Sequence, residues 1–306
     1  MSFSIEPGRA IMAVSGADDP FHHLALEAAL MRIAAERRIP CLLFYSNRLS
    51  VVWGKHQNPW LECDLARAAV EGAETVRRFS GGGTVAHDPG NLNFAIAAPR
   101  EAHQPERNQT ILIGALRAIG IPAESHLRVG LAAGGFKFSG QSFSLRGRSA
   151  LHHGTLLVSS DLDRFRRLLA APPADAQTHA IRSIPSPMRN LADLRPGLGM
   201  DELRDAVIRG FMVAWGEPEP ERWTSDDLRL LDTGSDEARY RSWEWRFGET
   251  PEFRWTWREQ NATWCADVTG GVIQRVDSQP PGHAHPRWRP GDRLPGSGLS
   301  PDAGVK

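Results

Sequence analysis

The chain has 306 residues and a mass of 33.8 kDa, of which 41% are hydrophobic and 24% are charged. This length fits one large domain with an appendage or two domains of ordinary size, and the composition excludes disordered, collagenous and coiled-coil chains. Lysine plus arginine equals aspartate plus glutamate at 36 each, so the charge gives no reason to expect nucleic acid or an anionic membrane as the main partner.

The predicted elements begin with a helix after Asp18-Asp19-Pro20, where the aspartates can cap the helix and the proline suits its first position. Apolar residues recur at helical spacing as far as Arg38, and Pro40 ends the pattern. Later apolar runs and turn residues predict further elements. These are strands at 41–45, 51–53, 74–79, 84–87 and 93–98, a helix at 108–119, two strand pieces at 150–159, and helices at 161–170 and 201–215.

The order of these elements predicts an α+β fold, because strands dominate the first half and helices are interspersed irregularly. The segment Ala171–Pro187 is rich in alanine and proline, which predicts a surface crossing. Beyond Gly216 the composition changes, and six of the ten tryptophans lie between Trp243 and Trp288.

The end of the chain contains a predicted β-hairpin followed by a tail. The runs Thr263–Val268 and Val272–Val276 flank Thr269-Gly270-Gly271, which is typical of a hairpin. The segment Gln279–Pro301 is dense in proline and glycine and has few apolar groups to offset the entropy of ordering them. We therefore expect a loose tail.

The strongest local signal is the segment Arg77–Asp88, with the sequence RRFSGGGTVAHD. Three successive glycines cost backbone entropy, so a fold that keeps them usually needs positive φ angles or a close approach to the backbone. The amides of such a turn can point at an anion, and Arg78 can add a planar fork for a phosphate or carboxylate. From this segment alone, a tight hairpin with Arg78 in a surface salt bridge explains the pattern equally well.

A second signal is Lys137, which lies between Phe136 and Phe138 in a strand-like run. If the two phenylalanines face the core, alternation turns Lys137 to the opposite face of the sheet. A solvated lysine is the commoner occupant of such a face, so the pattern alone does not indicate a function.

The third signal is the pair His152-His153 before an apolar strand. Adjacent strand residues point to opposite faces, so the two histidines cannot jointly bind one metal ion, and at most one lines a pocket. Ser142 and Ser144 are not in a nucleophile elbow, and neither an H-E-x-x-H helix nor a G-x-x-x-x-G-K-S/T loop occurs.

The number and spacing of the cysteines indicate in which cellular compartment the protein lies. Cys41, Cys63 and Cys265 are far apart and form no C-x-x-C pair, which argues against a disulfide framework and a zinc site and favours a reducing compartment. The segment Met1–Ala10 lacks the apolar core of a signal peptide, and no stretch stays apolar for the roughly 18 residues of a membrane span. We expect a cytoplasmic protein.

Taken together, these segments resemble the lipoate-protein ligase family, whose catalytic domain shares its fold with biotin-protein ligases. The resemblance covers roughly residues 45–255, and its RRxSGGG, lysine and HHGT motifs are specific to the family. The matching motifs are VVWGKHQNPW at 51–60, RRFSGGGTVAHD at 77–88, GNLN at 90–93, KFSG at 137–140, HHGTLL at 152–157, the segment 183–191 and SWEWRFG at 242–248.

The resemblance implies a catalytic domain over residues 1–248, of α+β class, with a mixed or antiparallel sheet and flanking helices. It implies a reduced accessory region over 249–306, with a hairpin at about 255–277 and a Pro/Gly-rich tail. Members of the family activate lipoate or octanoate with ATP to an acyl-adenylate and pass the acyl group to a lysine of an apo lipoyl domain. The expected partners are therefore lipoyl domains of 2-oxoacid dehydrogenase complexes or the glycine cleavage H protein, and Mg²⁺ would be held mainly by nucleotide phosphates.

The same resemblance makes Lys137 the catalytic lysine, in contact with the acyl carbonyl and the α-phosphate. A fixed ammonium about 4 Å from the developing negative charge contributes on the order of 4 kcal/mol in a partly enclosed site. The mechanism requires Lys137 and the glycine turn to meet on one mixed anhydride. The other residues implied at the acyl-adenylate are Arg78, Ser80, Gly81, Gly82, Gly83, Val85, His87, Gly90, Asn91, Ser139, His153, Gly154 and Thr155.

The acyl chain needs an apolar tunnel, for which alternation offers Trp53, Val85 and Phe138, although each also fits an ordinary core. One departure concerns ATP, because Arg128-Val129-Gly130-Leu131 stands where the family usually has Arg-Asn-Asp before the lysine.

Three alternatives to the ligase stay open at this point. An octanoyltransferase would take the acyl group from a carrier-protein thioester without ATP, and several such enzymes use a cysteine nucleophile whose position neither Cys41 nor Cys63 matches. A non-catalytic protein could bind lipoate or lipoyl domains. A biotin ligase is less favoured, because its glycine-arginine-rich loop has no counterpart here.

Overall fold

The computed structural model describes residues 9–127, 130–171, 174–217, 219–259, 262–279, 285 and 287–296. The predicted Val129 departure and residues 297–306 of the predicted tail lie outside these ranges. The chain forms two compact units. The first consists of Met1–Arg48, His87–Leu162 and Pro185–Ala238, and the second of Leu49–Ala86, Asp163–Ile184 and Arg239–Lys306.

Helices and strands alternate irregularly, as the sequence predicts for an α+β fold. The helices are α1 Pro20–Arg37, α2 Leu65–Val70, α3 Pro105–Ala118, α4 Leu162–Leu168, α5 Leu191–Leu194, α6 Met200–Ala214, α7 Ser225–Arg229 and α8 Gly234–Arg241, with 3-10 turns at Pro59–Leu61 and Arg100–Ala102 and a π-helical turn at Glu244–Gly248. The strands are β1 Arg9–Val14, β2 Cys41–Tyr45, β3 Ser50–Trp53, β4 Glu74–Arg77, β5 Val85–His87, β6 Asn91–Pro99, β7 Glu124–Ser125, β8 Gly130–Ala133, β9 Phe136–Arg146, β10 Ser149–Leu157, β11 Asp175–Thr178, β12 Glu219–Trp223, β13 Phe253–Glu259, β14 Ala262–Thr269 and β15 Val272–Gln279. Within the described ranges, every helix is too short or too polar to cross a bilayer.

The first unit is built on a mixed eight-stranded sheet in the order β12-β1-β2-β6-β10-β9-β8-β7. β1 runs parallel to β12 and β2, and the remaining neighbours are antiparallel. α1 packs against β6 and β10, and α3 packs against α6. β2 and β6 are buried along their whole length, which suits strands at the centre of a covered sheet.

The start of α1 follows from its own sequence. The Asp19 side chain accepts a hydrogen bond from the Phe21 amide at 2.9 Å, and Pro20 occupies the first helical position. The buried face of the helix also carries His23 and Glu27, both fully buried. Buried polar groups of this kind need hydrogen-bond partners, so they fix neighbouring side chains.

β10 is one continuous strand, whereas the sequence analysis splits it into two pieces. It pairs with β6 from Ser149 to Leu157 and with β9 on its other side, so ladder bonds on both edges carry it through. His152 stacks on Phe143 with ring centroids 4.2 Å apart, and His153 contacts Glu27 instead. The two histidines therefore face opposite ways, as alternation predicts.

The second unit contains a three-stranded sheet in the order β4-β3-β5 and a four-stranded sheet in the order β11-β13-β14-β15. Because β3 lies between β4 and β5, the runs at 74–79 and 84–87 do not form a tight hairpin, and that interpretation is wrong. β3 and β2 likewise belong to different sheets. Pairing with a strand that lies earlier in the sequence leaves no trace in the local pattern.

The predicted hairpin at the end of the chain is present as β14 and β15. β13 pairs with β14, and β11 adds a fourth strand from the segment 171–187, which the sequence analysis assigns to a surface crossing. The aromatic residues of this sheet face a core that includes Trp53, Trp255, Trp264 and Phe247.

The described part of the tail is packed, so the expectation of a loose tail is wrong for residues 287–296. Trp288 and Leu294 are 2% and 1% exposed and belong to the aromatic core. The Leu294 amide donates to the Gly271 carbonyl at 2.8 Å, which ties the segment to the hairpin turn. Two well-placed apolar side chains offset the ordering entropy that a Pro/Gly-rich composition would otherwise leave uncompensated.

We expect Trp288→Ala to lower the free energy of unfolding by about 3–5 kcal/mol, because it empties a buried indole site in a packed core. Arg289→Ala is the matched control, since Arg289 is an exposed neighbour. Urea unfolding followed by tryptophan fluorescence measures both. Equal stability of the two variants would restore the loose-tail prediction.

A second prediction concerns acid. Burial lowers the pKa of His152 to about 3, so the folded chain keeps this ring neutral while the unfolded chain protonates it below about pH 6.5. The unfolded state then binds more protons, and stability is lost as the pH falls from 6.5 toward 3. Between pH 7 and pH 5 the loss from this one ring is about 2 kcal/mol.

Urea unfolding of the wild type and His152→Gln at pH 7 and pH 5 tests this assignment. We expect the acid-induced loss of stability to be about 2 kcal/mol smaller in the variant. An equal loss in both proteins would mean that the ring at position 152 does not carry the effect.

Candidate functional site

Residues 80–84 form the glycine turn between β4 and β5. Gly82 has φ of 85°, a left-handed conformation that favours glycine. The Arg78 guanidinium is buried and donates to the carbonyls of Gly81 at 2.5 Å and Gly83 at 2.8 Å. The sequence predicts that the Arg78 guanidinium binds a ligand anion, but in this structure it binds the main chain of its own turn.

The glycine turn keeps two main-chain donors available. Within the described residues, the amides of Gly82 and Gly83 donate to no acceptor, and both residues are half-buried. The next amide, that of Thr84, donates to Ser183 Oγ at 2.8 Å. Two adjacent half-buried amides without a protein acceptor can donate to an oxygen of an anionic ligand.

The loop 54–57 lies directly against the glycine turn. A Cβ atom on Gly54 would lie 2.2 Å from the carbonyl oxygen of Gly82, so only glycine fits at this position. The Lys55 amide donates to the Ser80 carbonyl at 2.8 Å. The main chain of this loop therefore sets where the turn can lie.

Gln57 joins this loop to three other segments. Its Oε1 atom accepts from the Gly54 amide and the Thr84 hydroxyl, each at 2.9 Å. Its Nε2 atom donates to Glu62 Oε2 at 2.8 Å and to Ser183 Oγ at 3.0 Å. The side chain is fully buried, so no water competes for these bonds.

Arg77 holds the same loop from beneath. Its guanidinium is fully buried, and burial lowers its pKa to about 9. The oxygen atoms that accept its hydrogen bonds belong to the main chain of Gly54, Lys55, Gln57 and Arg246 and to the side chain of Thr250. A buried cation with this many acceptors fixes the loop carbonyls in place.

Lys137 lies in the first unit, on β9, and its main chain is held on two sides. The amide donates to the Pro187 carbonyl at 2.8 Å, and the Arg189 amide donates to the Lys137 carbonyl at 3.1 Å. On the other side a β-bulge pairs Lys137 with Ala132 but Ser139 with the preceding Leu131. The bulge breaks the simple alternation used to orient the lysine, which is half-buried.

Gly130 stands next to this lysine. A Cβ atom there would lie 3.8 Å from Lys137 Cε and 3.0 Å from the Ser139 carbonyl oxygen. The departure from the family pattern therefore falls at a position whose side chain would touch the lysine.

His153 faces α1 and belongs to a buried polar cluster. Its Nδ1 atom lies 2.8 Å from a Glu27 carboxylate oxygen, and the Tyr45 hydroxyl donates to the same carboxylate at 2.8 Å. Because a carboxylate only accepts, Nδ1 carries a proton, which fixes the tautomer of the His153 ring.

His87 is fixed by a second chain of hydrogen bonds. The Asn47 amide group donates to His87 Nδ1 at 2.8 Å, and Asn47 Oδ1 accepts from His23 Nδ1 at 2.6 Å. Ser15 completes the chain at His23 Nε2. Burial lowers the pKa of His23 to about 4, so this ring is neutral at pH 7. Nδ1 of His87 is then an acceptor, and its proton lies on Nε2.

Three other predicted site residues take part in local bonds of the first unit. The Asn91 amide group donates to Asn93 Oδ1 at 3.0 Å, while the buried Asn91 Oδ1 atom has no partner within the described residues. Gln141 donates to Ser139 Oγ at 3.2 Å, and the Thr155 hydroxyl accepts from the Gly140 amide at 3.0 Å. The orphaned Asn91 oxygen is an acceptor available for a ligand.

The predicted site residues divide between the two units. Arg78, Ser80, Gly81, Gly82, Gly83 and Val85 belong to the second unit, and His87, Gly90, Asn91, Lys137, Ser139, His153, Gly154 and Thr155 belong to the first. The meeting of Lys137 and the glycine turn on one ligand stays a prediction. Of the three acyl-tunnel candidates, Trp53 and Phe138 are fully buried core residues, and Val85 is half-buried.

Sequence reasoning misses four residues that support the glycine turn, namely Gln57, Glu62, Arg77 and Ser183. No local signal marks Gln57, because it lies in the polar stretch Lys55–Asn58 of the sequence. No group of three or more histidine, cysteine, aspartate or glutamate side chains in the described ranges could hold a metal ion.

Comparison with known proteins places the chain in a family. The family model of the lipoyl protein ligase A/B catalytic domain matches residues 19–212. A lipoate-protein ligase A of Bdellovibrio bacteriovorus is 34% identical over 218 residues, which are 69% of this chain and 64% of that protein, so the match spans just under two thirds of the relative's length.

Two solved structures share the α+β fold with its mixed and antiparallel sheets. Protein Ta0514 from T. acidophilum with bound lipoic acid is 25% identical, with a TM-score of 0.64 over 79% of this chain and 100% of that chain. A lipoate-protein ligase A bound with ATP is also 25% identical, with a TM-score of 0.65 over 78% of this chain and 98% of that chain. The chain belongs to the lipoyl protein ligase A/B catalytic-domain family.

Proposed function

We propose that this protein is an ATP-dependent lipoate-protein ligase, which activates lipoate or octanoate and transfers the acyl group to a lysine of an apo lipoyl domain. The observation that carries the proposal is the glycine turn. Arg78 donates to its Gly83 carbonyl and Ser183 accepts from its Thr84 amide, whereas the amides of Gly82 and Gly83 stay available for a ligand. Membership of the family supports the same activity.

The reaction has two steps. In the first, a carboxylate oxygen of the fatty acid attacks the α-phosphorus of ATP, and pyrophosphate leaves with the electron pair of the broken P–O bond. In the second, the neutral acceptor lysine attacks the acyl carbon, AMP leaves, and the amine loses a proton. Both steps build negative charge on oxygen, which fixed donors and cations stabilise.

We assign that cationic role to Lys137. The chain has only three lysines, at 55, 137 and 306, among its 36 lysine and arginine residues, so arginine is by far its commoner basic residue. A compact ammonium fits between a carboxylate and a phosphate where a planar guanidinium does not. The main-chain bonds of Lys137 to Pro187 and Arg189 supply a fixed base for the side chain.

The remaining polar groups are assigned by their donor and acceptor character. Gly82 and Gly83 would donate to the phosphate or acyl oxygen, His87 would line the site, and the orphaned Asn91 oxygen would accept from a nucleotide hydroxyl or a bound water. ATP and Mg²⁺ would suit this set, and Mg²⁺ would be held mainly by the nucleotide phosphates.

Transfer from a carrier-protein thioester through a cysteine is the second candidate, and the thiols of Cys41 and Cys63 disfavour it. Cys41 and Cys63 are buried, and burial raises the pKa of Cys41 to about 12 and that of Cys63 still further. Neither forms an appreciable thiolate at pH 7, so neither is an effective nucleophile. Direct transfer without a cysteine would still acylate the acceptor from octanoyl carrier protein.

The acceptors we propose are lipoyl domains of 2-oxoacid dehydrogenase complexes and the glycine cleavage H protein. The compartment we propose is the cytoplasm, in agreement with three free thiols.

The decisive assay incubates the protein with an apo lipoyl domain and octanoate or lipoate, with and without ATP and Mg²⁺, and weighs the acceptor by mass spectrometry. We expect acylation only when ATP is present. Acylation only from octanoyl carrier protein would establish the transferase instead, and no acylation under any condition would establish a binding protein.

Lys137→Ala tests the assignment of the lysine. We expect it to abolish measurable pyrophosphate release with the thermal midpoint preserved, and Lys137→Arg to lose activity by about 10²-fold or more because it keeps only the charge. Full activity of Lys137→Ala would refute this role.

Gly54→Ala tests the turn without touching a residue assigned to the ligand. The added methyl would lie 2.2 Å from the Gly82 carbonyl oxygen, so the turn must move. A displacement of about 1 Å can cost about 10²-fold in rate, and we expect a loss of that order in pyrophosphate release. The control is Gly114→Ala on α3, where an added methyl meets nothing within 4 Å. Equal activity of both variants would contradict the importance of the turn geometry.

A further inference from the structure

The carboxamide of Gln57 has no role in the chemistry proposed above, yet it bonds to several segments around the glycine turn. It is fully buried and bonded to Gly54, Glu62, Thr84 and Ser183. These four partners come from three stretches of sequence, at 54–62, 84 and 183, that no local pattern links.

The bonds at Thr84 explain how Gln57 acts on the turn. Thr84 is the residue that follows Gly83, and both of its donors are used. Its hydroxyl donates to Gln57 Oε1 at 2.9 Å, and its amide donates to Ser183 Oγ at 2.8 Å. Ser183 Oγ in turn accepts from Gln57 Nε2 at 3.0 Å and donates to the Glu62 carboxylate. One carboxamide therefore fixes both donors of Thr84, directly and through Ser183.

The partners leave room for only one kind of group at position 57. Two donors, the Gly54 amide and the Thr84 hydroxyl, face one end of the side chain, so that end must be an acceptor. The Glu62 carboxylate faces the other end, so that end must be a donor. A carboxamide supplies one acceptor and one donor, whereas a carboxylate supplies two acceptors.

The main chain at Gln57 is held as firmly as its side chain. Its carbonyl oxygen accepts from the buried Arg77 guanidinium at 3.1 Å, and Gly54 of the same loop lies against Gly82. The main chain that carries the carboxamide is therefore fixed, and the side chain reaches Thr84 at the end of the turn.

We propose that Gln57 is the positioning residue of the glycine turn, which holds Thr84 and thereby sets the direction of the Gly82 and Gly83 amides toward the acyl-adenylate. Gln57 itself touches no reacting atom. The inference rests on the proposed function for its link to catalysis, and on the hydrogen bonds of the second unit alone for its link to the turn.

The variant that tests this is Gln57→Glu, which keeps the shape and replaces the donor by an acceptor. The new carboxyl would lie 2.8 Å from the Glu62 carboxylate, so the two cannot both ionise without repulsion. At low pH a shared proton restores one donor between them, and at high pH the pair breaks. The other charged groups that face the pair are Arg182, whose Nε atom lies 2.8 Å from Glu62 Oε1, and Arg77 behind the Gln57 carbonyl.

We expect the ratio of variant to wild-type activity in pyrophosphate release to fall as the pH rises. At pH 8 we expect kcat/KM to be lower by about 10–100-fold, and at pH 6 to recover to within about threefold. The double variant Gln57→Glu/Glu62→Gln carries one carboxylate in place of two, and we expect it to regain part of the activity at pH 8 and to lose the excess pH dependence.

Val268→Ala is the control for general destabilisation. Val268 lies in the core of the same unit and is bonded to none of the groups at Gln57. We expect it to lower Tm with an unchanged KM and an unchanged pH profile.

Hydrogen–deuterium exchange gives a readout that does not depend on activity. With both proteins at pH 8 and no substrate, the peptide that contains Thr84 should exchange at least about tenfold faster in Gln57→Glu than in the wild type, while peptides of β14 should match. If the wild type shows no acyl transfer but this difference is found, the proposed function fails and the positioning role stands. Equal exchange at Thr84, or a pH-independent activity ratio in an active protein, would overturn the positioning role.

Discussion

The guanidinium of Arg77 is the constraint on which the second unit depends. A charge that is removed from water must be surrounded by hydrogen-bond acceptors, and here carbonyl and hydroxyl oxygens supply them in place of a carboxylate. The oxygens come from the loop 54–57 and from the segment 246–250, so neither can shift without leaving part of the cation unsatisfied. Each unmade buried bond would cost about 1–3 kcal/mol, which is large against the stability of a whole domain.

The first unit reaches the same rigidity by a different route. Its buried polar groups include a chain of neutral side chains, such as Ser15, His23, Asn47 and His87, and the carboxylate of Glu27, to which His153 and Tyr45 donate. Such chains fix which ring nitrogen carries each proton. The second unit holds main-chain amides in place, whereas the first holds side-chain donors and acceptors.

The parts of the fold that the sequence predicts are those encoded locally. The start of α1 depends on Asp19 and Pro20 alone, and the hairpin of β14 and β15 depends on the residues of its own turn. The insertion of β3 between β4 and β5 is not encoded in this way, because pairing partners lie outside any local window. The burial of Trp288 could not be predicted for a related reason. Its indole lies among prolines and glycines, and it is buried because it packs into an aromatic core built from distant parts of the sequence.

The site residues divide along the same line. Motifs predict a ligand site at Lys137 and the glycine segment, because groups that react with or bind a ligand must be of particular types. The supporting shell is harder to predict. Gln57 and Ser183 are recognisable only through their mutual bonds, and the fork of Arg78 is satisfied by carbonyls that become its neighbours only after the turn has folded.

The assembly of the second unit from three separate segments bears on how the protein is made. Ser183 and Thr250, which complete the bonds around the glycine turn, lie about 100 and 165 residues beyond it in the chain. A ribosome releases the turn long before it releases these partners, so the nascent turn waits unsupported through most of translation. The glycine turn therefore cannot complete its hydrogen bonds until late in synthesis, whatever the other parts of the molecule have already formed.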